Sequence, residues 1–217
     1  MKNKFIIAGL SLALLSAVSC GKDKTITNEV SEVETTQDGT VYNVNTGESH
    51  IEWKGFKVFK SENTSHFGKI KFESGELTVK DGMLESGKFV ADMNSLENED
   101  LRDDAEQKAK LEGHLKSGDF FEVEKYPTAT YEITKVTTGV SGDYNTMING
   151  NLTLKGVTKP VSFNANVTVN EGILTIATEP KDIMREDYGV KFQVPVQNGL
   201  IKNEVNVQMV IKATASQ

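Results

Sequence analysis

The sequence has few of the residues on which most enzymes and metal sites depend. It contains one cysteine and three histidines in 217 residues. One cysteine cannot form an intramolecular disulfide, and the histidines at positions 50, 66 and 114 follow no metal-ligand spacing such as HExxH. The chain also has no Gly-x-Ser-x-Gly elbow, no phosphate-binding glycine loop and no paired-cysteine metal motif. We therefore predict a protein that is not an enzyme and that holds no metal or cofactor.

Positive charge is also scarce. The chain has 24 Lys and Arg residues against 31 Asp and Glu residues, which gives a formal net charge of −7. Nucleic-acid binding requires a basic surface or stripe, and an acidic chain of this kind lacks one. The charge balance therefore predicts that nucleic acid is not a partner.

A single long apolar run is present, at the N-terminus. Lys2 and Lys4 precede the run "FIIAGLSLALL" (Phe5 to Leu15), which is shorter than the roughly 20 residues that a membrane-spanning helix needs. The small-residue stretch "SAVSC" then ends at Cys20 and resembles a bacterial lipobox, in which the cysteine becomes the lipid-modified first residue after cleavage. We predict a signal peptide at 1–19; the alternative is an ordinary signal peptide with an unmodified cysteine.

The predicted signal peptide and lipobox also predict the localisation of the mature chain and its attachment to a membrane. Loss of residues 1–19 removes two lysines and no acids, so the formal charge falls from −7 to −9. Residues 20–41 are polar and almost free of aromatics, as in a flexible linker, and residues 42–217 have the length of one domain. We predict export to the bacterial cell envelope, with lipid attachment at Cys20 to a membrane on its periplasmic or outer-membrane face.

Most of the domain alternates between apolar and polar residues with a period of two. The stretch "VSFNANVTV" (161–169) and the stretch "VNVQMVI" (205–211) show it most clearly. Weaker alternation appears around residues 51–53, 70–72, 77–79, 89–93, 131–133, 152–154, 174–176 and 190–194. Turn signals occur at 74–75, 81–82, 141–145 and 170–172. Many short amphipathic strands joined by tight turns predict an all-β antiparallel barrel or sandwich.

One segment departs from this pattern. Residues 97–106 are rich in acids, and Lys108, Lys110, His114 and Lys116 follow, which suits the dipole of a helix. Leucines and alanines recur there at spacing four, and Gly118 is placed to end the helix. We therefore predict one helix that begins near Glu97. Phe120 and Phe121 come where the chain turns back, and we expect them to fill the gap beneath the helix before a strand begins near Thr128, after Pro127.

The segment "LEGHLKSGDFFEVEKYPTATY" (111–131) closely resembles the signature of the YceI-like family. The stretches "SHIEWKGFK", "HFGKIKFESGELTVKDGMLESGKFVADMNSL", "INGNLTLKGVTKPVSF" and "MREDYGVKF" resemble further family blocks in the same order. The resemblance covers about residues 48–193 and is looser beyond Phe192. It implies a lipocalin-like antiparallel barrel of about eight strands with one helix packed beside it, and binding of a polyisoprenoid or another lipid.

The interior of such a barrel can be filled by its own side chains or can hold a ligand. The residues alone favour a packed core, whereas the resemblance implies a long apolar tunnel. The candidate tunnel-lining residues are Trp53, Phe72, Phe89, Ala91, Met93, Phe120, Tyr131, Ile133, Leu152, Phe163, Ala165 and Phe192. We expect the barrel to be hollow in front of Ala165, so that replacement by tryptophan should leave the fold stable and abolish lipid binding; a solid barrel would instead be destabilised. Ala91→Trp is the parallel test.

A local basic cluster interrupts the acidic chain. Residues 53–71 hold five lysines and one acid, Glu62. The candidate contacts with an anionic headgroup or membrane surface are Lys54, Lys57, Lys60, His66 and Lys69. The alternative is that these lysines only solvate two strands.

Two classes of function therefore remain open. The first is a lipid-binding envelope lipoprotein that acts as carrier or store. The second is a stress-response or interaction lipoprotein, whose solid barrel binds a protein partner through its loops.

Overall fold

The computed structural model of the chain describes residues 30–33, 38–194 and 199–216. The predicted signal peptide and Cys20 lie outside these residues, so the predictions for them stay predictions. None of the helices within the described ranges is long and apolar enough to cross a membrane.

Strands dominate the described part of the chain. They are β1 (Thr40–Val44), β2 (His50–Phe59), β3 (Glu62–Lys80), β4 (Met83–Asp92), β5 (Glu97–Asn98), β6 (Thr128–Thr138), β7 (Thr146–Leu154), β8 (Val157–Asn170), β9 (Ile173–Thr178), β10 (Lys181–Met184) and β11 (Gly199–Ala215). The helix α1 spans Ala105–Lys116, and short 3-10 helices occupy Met93–Ser95 and Arg185–Tyr188.

Eight of these strands close into an antiparallel ring. The order is β2-β3-β4-β6-β7-β8-β9-β11, and β11 pairs back onto β2. Strands β1 and β2 both pair with β3 on one side and with β11 on the other. Together they therefore form one interrupted strand of the barrel. The predicted all-β barrel of about eight strands with one helix is confirmed.

Tight turns join neighbouring strands at positions where the sequence contains turn-forming residues. Asp81 and Gly82 have φ angles of 50° and 76°, and Glu171 and Gly172 have φ angles of 48° and 75°. Two successive positive φ angles are the geometry of hairpin turns whose twist matches that of the strands. The predicted turns at 81–82, 141–145 and 170–172 are confirmed.

One predicted turn and one predicted strand were wrong. Ser74 and Gly75 form no turn but lie inside β3, where the register with β4 shifts. A Cβ on Gly75 would come within 2.6 Å of the Val44 side chain, so the glycine permits close packing. Residues 190–194 alternate in sequence but form no strand.

The helix begins later than predicted. Residues Glu97 and Asn98 instead form β5, which pairs with β3. Asn98 is fully buried, its amide donates to the Phe67 carbonyl (3.1 Å), and its Oδ1 accepts from the Leu101 N–H (2.9 Å). These contacts hold the backbone in a non-helical path until Asp104, whose carboxylate caps α1 by accepting from the Gln107 N–H.

The two ends of the barrel differ in packing. The closed end carries the turns at 81–82 and 171–172 and is filled by apolar side chains. Its buried residues include Leu77, Val79, Leu84, Ile133, Ile148, Ala165, Leu174, Ile176, Ile211 and Ala213. The open end lies opposite, where β2 ends, β11 begins and α1 packs.

Part of the predicted linker contacts the barrel. The Ser31 N–H donates to Asn151 Oδ1 (3.0 Å), and the Asn151 amide donates to the Ser31 carbonyl (2.9 Å). Strand β1 begins at Thr40, two residues before the predicted domain boundary. The described domain therefore includes residues that the sequence placed in the linker.

Candidate functional site

The open end of the barrel encloses an apolar cavity of about 320 Å³. Residues of the barrel strands form its wall. Its cover consists of α1, the segment 117–127 that follows α1, the strand β10 and the segment 185–194 that follows β10. The wall and the cover contribute Ile51, Trp53, Ile70, Phe72, Phe89, Ala91, Met93, Leu96, Leu111, Leu115, Phe120, Phe121, Ala129, Tyr131, Leu152, Leu154, Phe163, Ile183, Phe192, Val194, Ile201, Val205, Val207 and Met209. A volume above 300 Å³ with apolar lining is that of a small-molecule site.

Ten of the twelve predicted lining residues border this cavity. They are Trp53, Phe72, Phe89, Ala91, Met93, Phe120, Tyr131, Leu152, Phe163 and Phe192. Ile133 and Ala165 do not border it, because both are buried in the closed end, where they are 1% and 0% exposed. Alternation identifies the inward face of a strand, but it does not say how far along the barrel axis a residue lies.

One small interior residue makes room for a large one. A Cβ on Gly150 would lie 2.4 Å from the ring of Tyr131, which extends from the neighbouring strand β6 over β7 towards the Val161 carbonyl of β8. The Tyr131 hydroxyl donates to the Val161 carbonyl (2.9 Å), and burial raises the pKa of this hydroxyl. Gly55 is the opposite case, because a Cβ there would meet no atom within 4 Å. Gly150 belongs to packed structure and Gly55 to the cavity.

The adjacent phenylalanines belong to the cover. Phe120 is buried, and its ring lies 5.2 Å from that of Phe192 and 5.0 Å from that of His114. Lys155 donates to the Phe120 carbonyl (2.8 Å), which ties the cover to the β7–β8 turn. Phe121 packs against the apolar cluster around Trp53. Both residues border the cavity together with Leu111 and Leu115 of α1, at the place where the sequence puts them beneath the helix.

The loop that precedes α1 is held to the barrel by polar contacts. Asp100 accepts from the Phe67 N–H (2.8 Å) and pairs with His66 Nδ1 (2.8 Å). Burial alone would raise the pKa of Asp100, but the hydrogen bonds from Phe67, His66 and Asn98 outweigh it and lower the pKa. The Trp53 indole donates to the Glu97 carbonyl (3.2 Å), so the same loop also fixes this cavity residue.

Apart from Tyr131, the ionisable side chains on the cavity lining are all bases. They are Lys57, His66, His114, Arg185 and Lys202, and no aspartate or glutamate among the described residues borders the cavity. Arg185 is only 3% exposed, and it donates to the carbonyls of Val190 (2.6 Å), Lys202 (2.9 Å) and Ile201 (3.2 Å). Burial lowers the pKa of this guanidinium.

Sequence reasoning missed Arg185 and Lys202. Arg185 stands in the stretch "MREDYGVKF" and follows β10 in a 3-10 helix. Two of its three partners, the carbonyls of Ile201 and Lys202, lie in β11, where three residues (202–204) face the single residue Phe56 of β2 in a bulge. The bulge frees these two carbonyls to accept from Arg185. No local pattern signals this pairing.

The predicted headgroup cluster divides into two groups. Lys57 and His66 border the cavity. Lys54 and Lys60 instead lie over the rings of Phe56 and Phe59, at 5.5 and 5.3 Å, and Lys69 pairs with Glu99 at 3.6 Å. The structure therefore brings only two of the five residues to the cavity.

Two solved structures share the fold of this chain over nearly the full length of their own chains. BcnA from Burkholderia cenocepacia matches with a TM-score of 0.58 and 19% identity, over 79% of this chain and 99% of that one. A polyisoprenoid binding domain from Saccharophagus degradans, implicated in plant cell wall breakdown, matches with a TM-score of 0.52 and 15% identity, over 82% and 99%. At such identities the likeness concerns the fold.

Sequence relatives match a shorter region. The chain is 53% identical over 60 residues to a UPF0312 protein of Pseudomonas aeruginosa, which is 27% of this chain and 29% of that protein. A UPF0312 protein of Shewanella baltica is 45% identical over 64 residues, or 30% and 32%. These matches span less than a third of either relative. The model of the YceI-like domain matches residues 42–213, nearly the whole described barrel, and the chain therefore belongs to the YceI-like family.

Proposed function

We propose that this protein is a non-enzymatic binding protein that carries or stores a polyisoprenoid or another long-chain amphiphilic lipid in the open end of its barrel. The observation that carries the proposal is the apolar cavity of about 320 Å³ beneath the cover. The solved domain from Saccharophagus degradans, described as polyisoprenoid binding, lends support because it shares the fold. The competing hypothesis of a barrel solid throughout does not account for this cavity.

Energetics favour a carrier over a permanent holder. Burial from water stabilises a bound chain by about 0.8 kcal/mol per CH₂ group, or about 4 kcal/mol for a five-carbon isoprene unit. A long lipid does not start in water, however, because it leaves the apolar interior of a membrane. Most of the gain then cancels, so that loading and release are both accessible.

Mass spectrometry of lipid extracted from the purified full-length protein tests the proposal. We expect a long-chain lipid in near-stoichiometric amount, and we expect it to be absent from a parallel preparation of an unrelated lipoprotein purified in the same detergent. If both preparations carry the same lipids in the same amounts, the binding is adventitious and the proposal fails.

We also propose that the protein is anchored in the cell envelope through a lipid on Cys20. The support is the lipobox-like stretch before Cys20, which lies outside the described residues. Cys20→Ser should release the chain from stable membrane association, as measured by fractionation of cells with a salt wash. A variant that stays in the membrane fraction after the wash would contradict the anchor. Weak, salt-sensitive residual binding would instead implicate the exposed Lys54 and Lys60.

A further inference from the structure

We infer that the lipid held by this cavity has an anionic head, which Arg185, Lys202 and Lys57 bind at the open end. The inference rests on the proposed function and adds the chemical class of the ligand. Neither the family match nor the similar structures assign a role to these three residues.

The first observation is the sign of the charge around the cavity. Every ionisable acid or base on the lining other than Tyr131 is a base, although the whole chain has a net charge of −7. His66 and His114 already pair with Asp100 and Asp119, at 2.8 and 3.0 Å. The charge that remains for a ligand is that of Arg185, Lys57 and Lys202.

The second observation is that Lys57 and Lys202 form no ion pair with an acid in the part of the chain that the structure describes. Lysines elsewhere pair closely with carboxylates, such as Lys108 with Glu97 (2.9 Å) and Lys212 with Glu48. No ion pair with a described carboxylate forms at Lys57 or at Lys202. The Lys202 ammonium only lies over the Phe56 ring, 5.6 Å from its centre. Both lysines are partly buried residues that border an apolar cavity, where an anion would be bound more strongly than in water.

The third observation is the construction around Arg185. A buried charge is unfavourable unless it is paired or hydrogen-bonded, and three carbonyls supply the hydrogen bonds here. The guanidinium has five N–H donors, so that two remain beyond these three bonds. Its nearest carboxylate contact is Glu186, at 3.7 Å, and Glu186 does not border the cavity.

The three residues also lie at one level of the barrel. Lys57 pairs in register with Ile201, and Arg185 binds the carbonyls of Ile201 and of the adjacent Lys202. The apolar wall continues from this level towards Phe72, Phe89 and Phe163. A molecule with one anionic end and one long apolar chain matches both parts. A phosphate or carboxylate head accepts charge-assisted hydrogen bonds from all three cations, whereas an alcohol head accepts them only weakly.

The fluorescence of Trp53 gives a direct test. It is the one tryptophan of the chain, and it borders the cavity. The full-length protein would be titrated with geranylgeranyl monophosphate and with geranylgeraniol, which share their chain and differ in the head. We expect the phosphate to bind about tenfold more tightly or better, and the double variant Lys57→Gln/Lys202→Gln, which retains Arg185, to bring the two affinities closer together. Arg185→Gln should act in the same direction, and the lysine variant keeps the test decisive if this one fails to fold.

The control is Lys88→Gln, which removes the same charge from an exposed position on β4. It should preserve the wild-type preference for phosphate. Equal wild-type affinities for the two lipids, or a preference that is undiminished in the lysine double variant, would overturn the anionic head while lipid binding stands. Inorganic phosphate binding as tightly as the lipid phosphate would show a site for free anions and also overturn it. If neither lipid changes the fluorescence, the proposed function itself fails.

Discussion

The closed and open ends of the barrel are built from the same strands but packed in opposite ways. At the closed end, large aliphatic residues such as Leu77, Ile133 and Ile176 are almost completely buried against one another. At the open end, the same strands surround a cavity, and the cover rests on their rims. The closed end stabilises the fold, so that the open end can remain hollow without loss of the barrel.

Glycines report the same difference. At Gly87 and Gly150 a Cβ would lie 2.4 Å from the nearest side-chain atom, whereas at Gly55 it would meet nothing within 4 Å. A small interior residue therefore indicates close packing in one part of the barrel and empty space in the other. Two alanines on inward faces, Ala165 and Ala91, allow this difference to be tested with matched substitutions.

The largest effect is expected at the closed end. Ala165 is completely buried and does not border the cavity, so Ala165→Trp should overpack the core. Overpacking typically costs 1–3 kcal/mol, and for so large a side chain we expect about 3 kcal/mol or more. Denaturant unfolding measures the loss. This outcome is the reverse of the tolerance that a cavity in front of Ala165 predicts, and a stable Ala165→Trp variant would show that the closed end is not packed.

The matched substitution at the open end should be milder. Ala91 borders the cavity, so the new side chain of Ala91→Trp has space to enter. We expect a loss of unfolding free energy of about 1 kcal/mol or less, together with loss of extractable lipid. The same unfolding experiment and lipid extraction would be applied to both variants. Equal destabilisation of the two would remove the distinction between the ends.

The smallest expected effect is a local loss of stability in α1 at low pH. Burial alone would raise the pKa of Asp100 and that of Glu112. The hydrogen bond from the Phe67 N–H and the other contacts of Asp100 nevertheless lower its pKa below the ordinary value of 3.8. The hydrogen bond from the Asn98 N–H and the other contacts of Glu112 lower its pKa below the ordinary value of 4.5. A depressed pKa stabilises the fold above the ordinary value, and this contribution is lost as the pH falls through the folded value. Below about pH 4 we therefore expect faster amide hydrogen exchange in α1 than in β9, with an effect of about 1 kcal/mol or less per carboxylate. Parallel changes in α1 and β9 would contradict a local effect on the cover.

The sequence predicted the fold because the fold depends on local signals. Alternation in stretches such as 161–169 and the Asp81–Gly82 turn specify amphipathic strands joined by hairpins. The predicted start of the helix was wrong by about two turns because a buried residue, Asn98, holds the backbone before Asp104 through tertiary contacts.

The site was harder to predict than the fold. Ten lining residues follow from the inward face of each strand. Ile133 and Ala165 failed because alternation carries no information on height along the barrel axis. Arg185 was missed because two of the carbonyls it binds, those of Ile201 and Lys202, lie at a bulge in β11, and only the folded chain brings them together.

The central claim is that the open end is hollow and holds an apolar chain, and contact quenching of Trp53 tests it most directly. A long-chain alcohol with bromine atoms at mid-chain quenches indole fluorescence only when the two groups touch. We predict saturable quenching at one lipid per wild-type protein. Gly55→Leu, which fills the cavity where a Cβ meets no atom within 4 Å, should bind at least about tenfold more weakly with an unchanged melting temperature. Absence of quenching in the wild type, or equal quenching in Gly55→Leu, would contradict the account.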